Sequence, residues 1–399
     1  MSFVLDPARN SLGLGILVNQ IKVKGEALQM ETLKQVAITN DQGSHEDVNL
    51  SVSLTTSQVD ALQDGPISFS YGPRASLGRF YGYVSEIAPS RNYQANLMYD
   101  LHCIGATRPL QQSGQPRFYV KKSITTVLAD LIKARSLGVQ IENSDFLWPT
   151  LAQTSESDWE FITLWAKRCG YAVYNYNGVV RIVDPLRILN ESGPVIRLIK
   201  GDEVLDKSRV LLDFNPTAYS KKKPKYIHPA FGYFNNGKAR ITHEVSDTYN
   251  FQSSPTILDK TMADFVTKAW ESSVDNWVQK ATARIQGNTT LHPGVVISVQ
   301  ISGSSVIQHD YDGLWLVTGT HHDLTAGSFQ TSLNLARDNK KRLSNIGLKP
   351  WTQGVQAHPQ LSQATPSSDW RSSWKTTQII SANIGVGKPK VPSNPVWTS

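Results

Sequence analysis

A strand ladder that closes on an aromatic-Gln-x-x-Leu step occurs twice in this chain, and the repeat restricts the possible folds more than any other feature. The first copy runs through Pro66-Ile67-Ser68-Phe69-Ser70-Tyr71, Gly78-Arg79-Phe80-Tyr81-Gly82-Tyr83-Val84 and Tyr93-Gln94-Ala95-Asn96-Leu97. The second runs through Gly294-Val295-Val296-Ile297-Ser298-Val299, Gly313-Leu314-Trp315-Leu316-Val317 and Phe329-Gln330-Thr331-Ser332-Leu333. From glycine to closing aromatic the spacing is 15 residues in one copy (78 to 93) and 16 in the other (313 to 329), with a polar hairpin loop inside each interval. A duplicated β unit points to a part that assembles through repeated surfaces rather than to a single catalytic cleft.

The pattern between and around the copies predicts a mainly β chain with an inserted α+β domain. At 399 residues, two to four domains are expected. Residues 1–108 alternate apolar and polar at period two, as in Ile16–Val23 and Val48–Leu54, with turn residues at regular intervals. They read as a first β-barrel or sandwich domain, whose last strand is expected over Gln94–Cys103. Past Arg108 the period becomes 3.6. Ser123 is placed to cap a helix whose apolar face is Ile124, Val127, Leu128, Leu131 and Ile132, with Gly138 beyond its end. Ser157-Asp158-Trp159-Glu160 has the form of a capping box opening a second helix, with Phe161, Ile162, Trp165, Ala166 and Cys169 inward and Gly170 at its end. Asn177-Gly178 then predicts a tight hairpin. Residues 109–203 are thus the insert and 204–340 the second β domain, with a helix near 258–274 facing inward through Met262, Phe265, Val266, Ala269 and Trp270.

Residues 341–399 have no periodic face and are rich in Ser, Thr, Pro and Gln, so they bury too little to fold alone. Yet Trp351, Trp370, Trp374 and Trp397 lie there, four of the ten tryptophans, whereas solvated linkers are poor in aromatics. The expectation is an extended C-terminal arm that orders on neighbouring subunits with those tryptophans as partner-binding anchors.

No stretch is apolar enough for a membrane span and no basic region precedes an apolar start, so no membrane association or secretory leader is expected. Cys103 and Cys169 lie far apart among apolar neighbours, which argues against a disulfide scaffold or zinc site. The net charge of +7 is scattered; its one dense run, Lys221-Lys222-Lys223-Pro224-Lys225, reads as a loop cap, with a nucleic-acid-binding module as an alternative.

Catalytic patterns are weak. There is no G-x-S-x-G elbow and no P-loop, and Gly13-Leu14-Gly15 has Val18 where a third glycine belongs. His309-Asp310-Tyr311-Asp312 and His321-His322-Asp323 approach a metal constellation, but neighbours along a strand point to opposite faces. Glu156, Asp158 and Glu160 supply carboxylates that helix capping also explains; a peptidoglycan-degrading role is the alternative they support. The expectation is no catalytic site, no cofactor and no metal.

Three stretches together resemble the bacteriophage tail hub family, which includes the late control protein D of contractile phages and the hub portion of type VI secretion spike proteins. They are Gln153–Ala166 with Gly170-Tyr171, Leu291-His292-Pro293-Gly294-Val295-Val296, and Gly313-Leu314-Trp315-Leu316-Val317 with His321. The arm lies outside the shared pattern. The resemblance implies two tail-tube-like β barrels per chain and a homotrimer, so that three chains make a pseudo-sixfold ring. That ring would connect a hexameric tail tube or distal tail protein to a threefold central spike or fibre. It implies a virion protein assembled in the host cytoplasm, other baseplate subunits held through the arm, and DNA met only in passing through the lumen.

Overall fold

A computed structural model of the chain describes residues 2–4, 16–23 and 26–27, and then 33–338 except for 63–64, 74–76, 91–97, 112–113, 143, 145, 201–208, 220–224, 228–232, 236–237, 241–248, 252–264, 266–268, 270–271, 278, 302–310 and 326–327. The first β region holds β1 (Ser2–Val4), β2 (Ile16–Val23), β3 (Glu26–Ala27), β4 (Leu33–Asp41) and β5 (Glu46–Ser53). A short helix α1 (Thr56–Leu62) leads to β6 (Pro66–Pro73), β7 (Gly78–Pro89) and β8 (Met98–Gly105). The insert follows: β9 (Arg117–Ser123), α2 (Ile124–Ala134), β10 (Gly138–Ile141), β11 (Leu147–Gln153), α3 (Asp158–Arg168), β12 (Ala172–Tyr176), β13 (Val179–Val183) and α4 (Pro185–Glu191). Then come β14 (Ile196–Ile199), β15 (Leu211–Tyr219), β16 (Lys225–Ile227), β17 (Tyr233–Asn235), β18 (Lys238–Arg240), β19 (Tyr249–Phe251), β20 (Gln279–Gln286), β21 (Val296–Gln300), β22 (Gly313–Thr325) and β23 (Ser328–Arg337). The chain is mainly β with an inserted α+β unit, as the periodicity predicts.

The repeat is visible in the strand order. One run of neighbours is β2-β6-β7-β8-β5-β4, and another is β14-β21-β22-β23-β20-β15. Each consists of an antiparallel three-stranded meander whose last strand pairs back to an earlier strand, β5 or β20, which pairs in turn with β4 or β15. Two pairs of β-bulges also correspond, whereas a second slip in β15, at Thr217, and one in β2, between Asn19 and Lys22, have no counterpart in the other copy. β4 and β15 each slip by one residue near the start, at Lys34 and Leu212, and β7 and β22 each slip in mid-strand, at Ser85 and Thr318. A bulge bends the strand and raises its twist, so equivalent bulges give the two sheets the same local curvature. They align Val84 with Val317, two residues away from the alignment of Gly78 with Gly313 that the sequence suggests. A two-residue shift keeps every side chain on the same face, which is why the motif still matched. The copies differ in their first strand: β2 is antiparallel to β6, whereas β14 is parallel to β21.

The two sheets are one. β22 pairs first with β21, through Val296–Val299, and then with β4, from Gly319 opposite Asp41 to Thr325 opposite Gln35. Among the described residues this produces a 14-stranded sheet whose path runs from β1 to β15 without closing. Two closed barrels within one chain are therefore not what the described strands form: among the described residues, the outer edge of β15 and the edge of the later half of β7 away from β8 have no strand beside them.

The insert has its own core, in which α2 and α3 pack Leu128, Ile132, Phe161, Ile162 and Trp165 against Trp148 and the sheet of β10, β13 and β12. Ser157 is a true cap: its Oγ accepts from the Glu160 N–H at 3.2 Å while Glu160 accepts from the Ser157 N–H at 2.8 Å. Gly170 follows the helix at φ +77°. Asn177 and Gly178, at φ +51° and +73°, make the tight turn between β12 and β13. Ser123 does not cap α2; its hydroxyl donates to the Ser144 carbonyl at 2.7 Å instead. Tyr93–Leu97 lies outside the described residues, and the expected strand is described from Met98, as β8. Of the helix expected near 258–274, Phe265, Ala269 and Ser272 are described as helical, with Phe265 stacked on Phe146 at 4.7 Å and Ala269 buried; Met262, Val266 and Trp270 are outside the described residues.

Candidate assembly interface

The only place where the two repeats meet strand to strand, among the described residues, is the β4–β22 junction. Period-two alternation gives this junction two unlike faces. On one, His321 Nδ1 and Thr39 Oγ1 lie 2.8 Å apart across 282 positions of sequence, and Gln35 Nε2 donates to Asp323 Oδ1 at 2.9 Å. On the other, Val36, Ile38 and Leu324 are buried in the core of the first sheet together with Phe329. The end of the second repeat thus belongs to the core of the first. Backbone bonding continues past the ladder, where the Gln42 N–H donates to the Thr318 carbonyl at 2.8 Å.

The insert braces this junction. The turn after β4 is held by β12: the Gly43 N–H donates to the Val173 carbonyl at 2.9 Å, and Asn40 Nδ2 donates to the Asn175 carbonyl at 2.7 Å. Asn175 Nδ2 in turn donates to the Ser44 carbonyl, and Trp159 Nε1 to the Gly43 carbonyl at 3.2 Å. On the side of the second repeat, Tyr174, Val183 and Ile188 share a core with Val296, Leu316 and Ala336. Gly294 turns at φ +85° against the Tyr174 ring, where a Cβ would come within 2.7 Å of it, and Tyr176 stacks on His292 at 4.1 Å. The Leu291–Val296 segment singled out in sequence is therefore a contact between the insert and the second sheet.

Buried ionisable groups cluster around the junction. Burial holds His292 down at about 3 and His322 at about 4, so both are neutral near pH 7. His322 Nδ1 meets Thr331 Oγ1 at 2.9 Å, and its ring lies 5.9 Å from Tyr71. Glu46, at the start of β5, is pushed up to about 8 by burial and by the neighbouring Asp47 carboxylate. Glu142 is raised to about 7, because burial outweighs its 2.6 Å ion pair with Arg187. A carboxyl with a raised folded pKa stabilises fully below its unfolded value and loses that contribution as pH rises through the folded pKa. Below about pH 6.5 the lowered histidines act in the opposite sense, so stability should fall between about pH 6.5 and 8. Glu46→Gln should flatten most of that limb, leaving the smaller part due to Glu142. Urea midpoints measured across the range check this; a variant with unchanged slope refutes it.

The sequence-derived candidates fall as follows. Trp351, Trp370, Trp374 and Trp397 lie outside the described residues, as do Lys221–Pro224, with Lys225 opening β16. His309 and Asp310 are outside them too. Asp312 is buried and accepts from the Ile301 N–H at 2.6 Å. His321 and His322 take opposite faces of β22 and do not converge. Glu156 Oε2 accepts from the Thr154 and Ser155 N–H groups, and Glu160 serves the capping box. Asp158 is buried between Arg117, at 2.6 Å, and Arg135, at 3.0 Å. Burial alone would raise its pKa, but hydrogen bonds from Gln153, Arg135 and Arg117 overcome that and hold it below its usual value. All three carboxylates organise the start of α3. The β4–β22 junction was not foreseen, and no local signal marks it.

No protein-family model matches the sequence, and no curated protein matches it. Solved structures do. A tail protein from Neisseria meningitidis MC58 superposes with a TM-score of 0.58 at 12% identity, over 81% of this chain and 97% of that one. The 43 kDa tail protein of prophage MuSo2 from Shewanella oneidensis gives 0.58 at 14% identity, over 82% and 98%. An E. coli component of the type VI secretion system, described as structurally similar to the T4 phage tail proteins gp27 and gp5, gives 0.55 at 12% identity, over 81% and 78%. The chain therefore has the fold shared by these tail proteins and the type VI secretion component.

Proposed function

We propose that this chain is the structural hub of a phage-type tail: three copies form a ring joining a hexameric tail tube to a threefold central spike or fibre, with a lumen through which DNA passes. The observation that carries this reading is the duplication of a six-strand order, with matching bulges in its β4/β15 and β7/β22 strands, within a chain of tail-protein fold. Two equivalent sheets in each of three subunits supply six similar positions facing a sixfold partner, while the rest of each subunit stays threefold. The division into 1–108, 109–203, 204–340 and 341–399 belongs to the same reading: two tube-forming regions, a brace between them, and an arm whose tryptophans engage neighbouring baseplate proteins. The role is assembly rather than catalysis, in a virion whose parts come together in the host cytoplasm.

Size-exclusion chromatography with light scattering should give three times the chain mass, and electron micrographs should show threefold rings with a central channel. A species that stays monomeric at high concentration, and does not assemble when tube protein is added, overturns the reading.

A further inference from the structure

The two repeats are similar, but among the described residues only one of their two possible junctions is made within the chain. β22 uses β21 as neighbour for its first half and β4 for its second, the changeover falling at the bulge: the Val317 N–H donates to the Val295 carbonyl, and the Gly319–Asp41 pair follows. β7 begins in the same way. It pairs with β6 as far as Tyr83 opposite Pro66, and the Val84 N–H donates to the Gly65 carbonyl. Beyond the bulge at Ser85, residues Glu86–Pro89 have β8 on one side and, among the described residues, no strand on the other. β15, the counterpart of β4, likewise has β20 on one side and an open outer edge on the other.

We infer that the outer edge of β15 pairs antiparallel with the later half of β7 in a second copy of this chain, repeating between subunits the β4–β22 junction made within each. This rests on the ring reading above and identifies the surfaces that close it. Three such junctions alternate with three internal ones, and the ring then has no open sheet edge at these positions, which is how β assemblies remove an aggregation-prone edge.

The internal junction supplies the register. Ala88 stands three residues past its bulge, as His321 does past Thr318. Past a second bulge in β15 at Thr217, which β4 lacks, Ala218 lies opposite Lys280 as Thr39 lies opposite Asp47. Ala88 of one subunit therefore faces Ala218 of the next. The Gln42–Thr318 bond flanks Gly319–Asp41 and makes it a non-hydrogen-bonded pair, as is His321–Thr39 two residues along. Such pairs bring Cα atoms to about 4.5 Å, within disulfide reach.

Two substitutions set this junction apart from the internal one. Pro216 stands where β4 has Ile38, and Pro89 where β22 has His322. Neither proline donates to a ladder, so the intersubunit ladder is shorter than the internal one, and the edge is blunted against indiscriminate pairing. Leu212, 52% exposed, occupies the bulge where the first repeat has Lys34, so an apolar side chain replaces a charged one on the edge strand.

The test is an Ala88→Cys/Ala218→Cys double variant of the full chain, oxidised and run on a denaturing, non-reducing gel. Cys103 and Cys169 are buried with thiols pushed up to about 12, so the native cysteines do not compete. Covalent dimer and trimer bands, with neither single variant forming a trimer band, are the expected result. A Thr39→Cys/His321→Cys variant, which crosslinks within one chain, calibrates the yield. Trimers in light scattering with no crosslink in the double variant overturn the β15–β7 junction while leaving the ring reading intact. Monomers alone overturn both.

Discussion

Replacing Asp158 with alanine should lower the stability of the insert by about 3 kcal/mol, the lower end of what breaking a buried ion pair costs. The carboxylate is 1% exposed, accepts from Arg117 at 2.6 Å and Gln153 at 2.9 Å through one oxygen, and from Arg135 at 3.0 Å through the other. It thereby ties β9, β11 and the end of α2 to the first turn of α3, where a negative charge is also favoured by the helix dipole. Alanine would remove the carboxylate from between two guanidinium groups, each a little over a quarter exposed. The interaction should weaken in acid, because a carboxylate held below its ordinary value contributes above the unfolded pKa and is lost as pH falls through the folded one. Urea unfolding followed by the fluorescence of Trp148 and Trp165 reads the effect. A change under about 1 kcal/mol at neutral pH would show that solvent replaces the carboxylate adequately.

Trp315→Ala should cost about 3–5 kcal/mol and impair assembly as well as folding. Trp315 is wholly buried in the core of the second sheet, with its Nε1 donating to the Tyr311 carbonyl at 3.0 Å. Phe214 of β15 meets its ring edge-on at 5.7 Å, and the guanidinium of buried Arg337 lies 4.3 Å from the ring centroid. Truncation opens a cavity beneath β15 and strips a buried cation of its aromatic face. Because β15 carries the edge assigned to the next subunit, the variant should form fewer covalent trimers in the Ala88→Cys/Ala218→Cys background. Trp315→Phe keeps an aromatic ring, though a smaller one, and should lose only about 1–2 kcal/mol. Equal losses for the two substitutions would mean that the indole hydrogen bond, not the packed ring, holds the strand.

What was legible in the sequence was local. The helix opened by Ser157 and Glu160 forms where the capping box places it, because both groups of the box lie within one turn. Asn177-Gly178 turns as expected because its backbone requirement is met by those two residues alone. Ser123 is the instructive exception: a cap residue by position, it is drawn away by the Ser144 carbonyl, a partner 21 residues distant. The repeat stands between these cases. Its alternating pattern was readable, but its alignment was displaced by two residues, since glycines mark turns whereas bulges set register.

The sequence by itself determined that there are two similar β units, where the helices of the insert begin, and which faces of those helices are apolar. Only the tertiary structure decided that the β units fuse through β4 and β22, that the insert braces that seam, and that β7 and β15 keep edges open among the described residues. The physical reason is that period-two alternation tells a strand which face to bury but not which strand to lie beside. Any alternating strand offers the same backbone donors and acceptors at its edge. The choice of neighbour is made by bulges, strand lengths and the packing of residues as distant as Thr39 and His321.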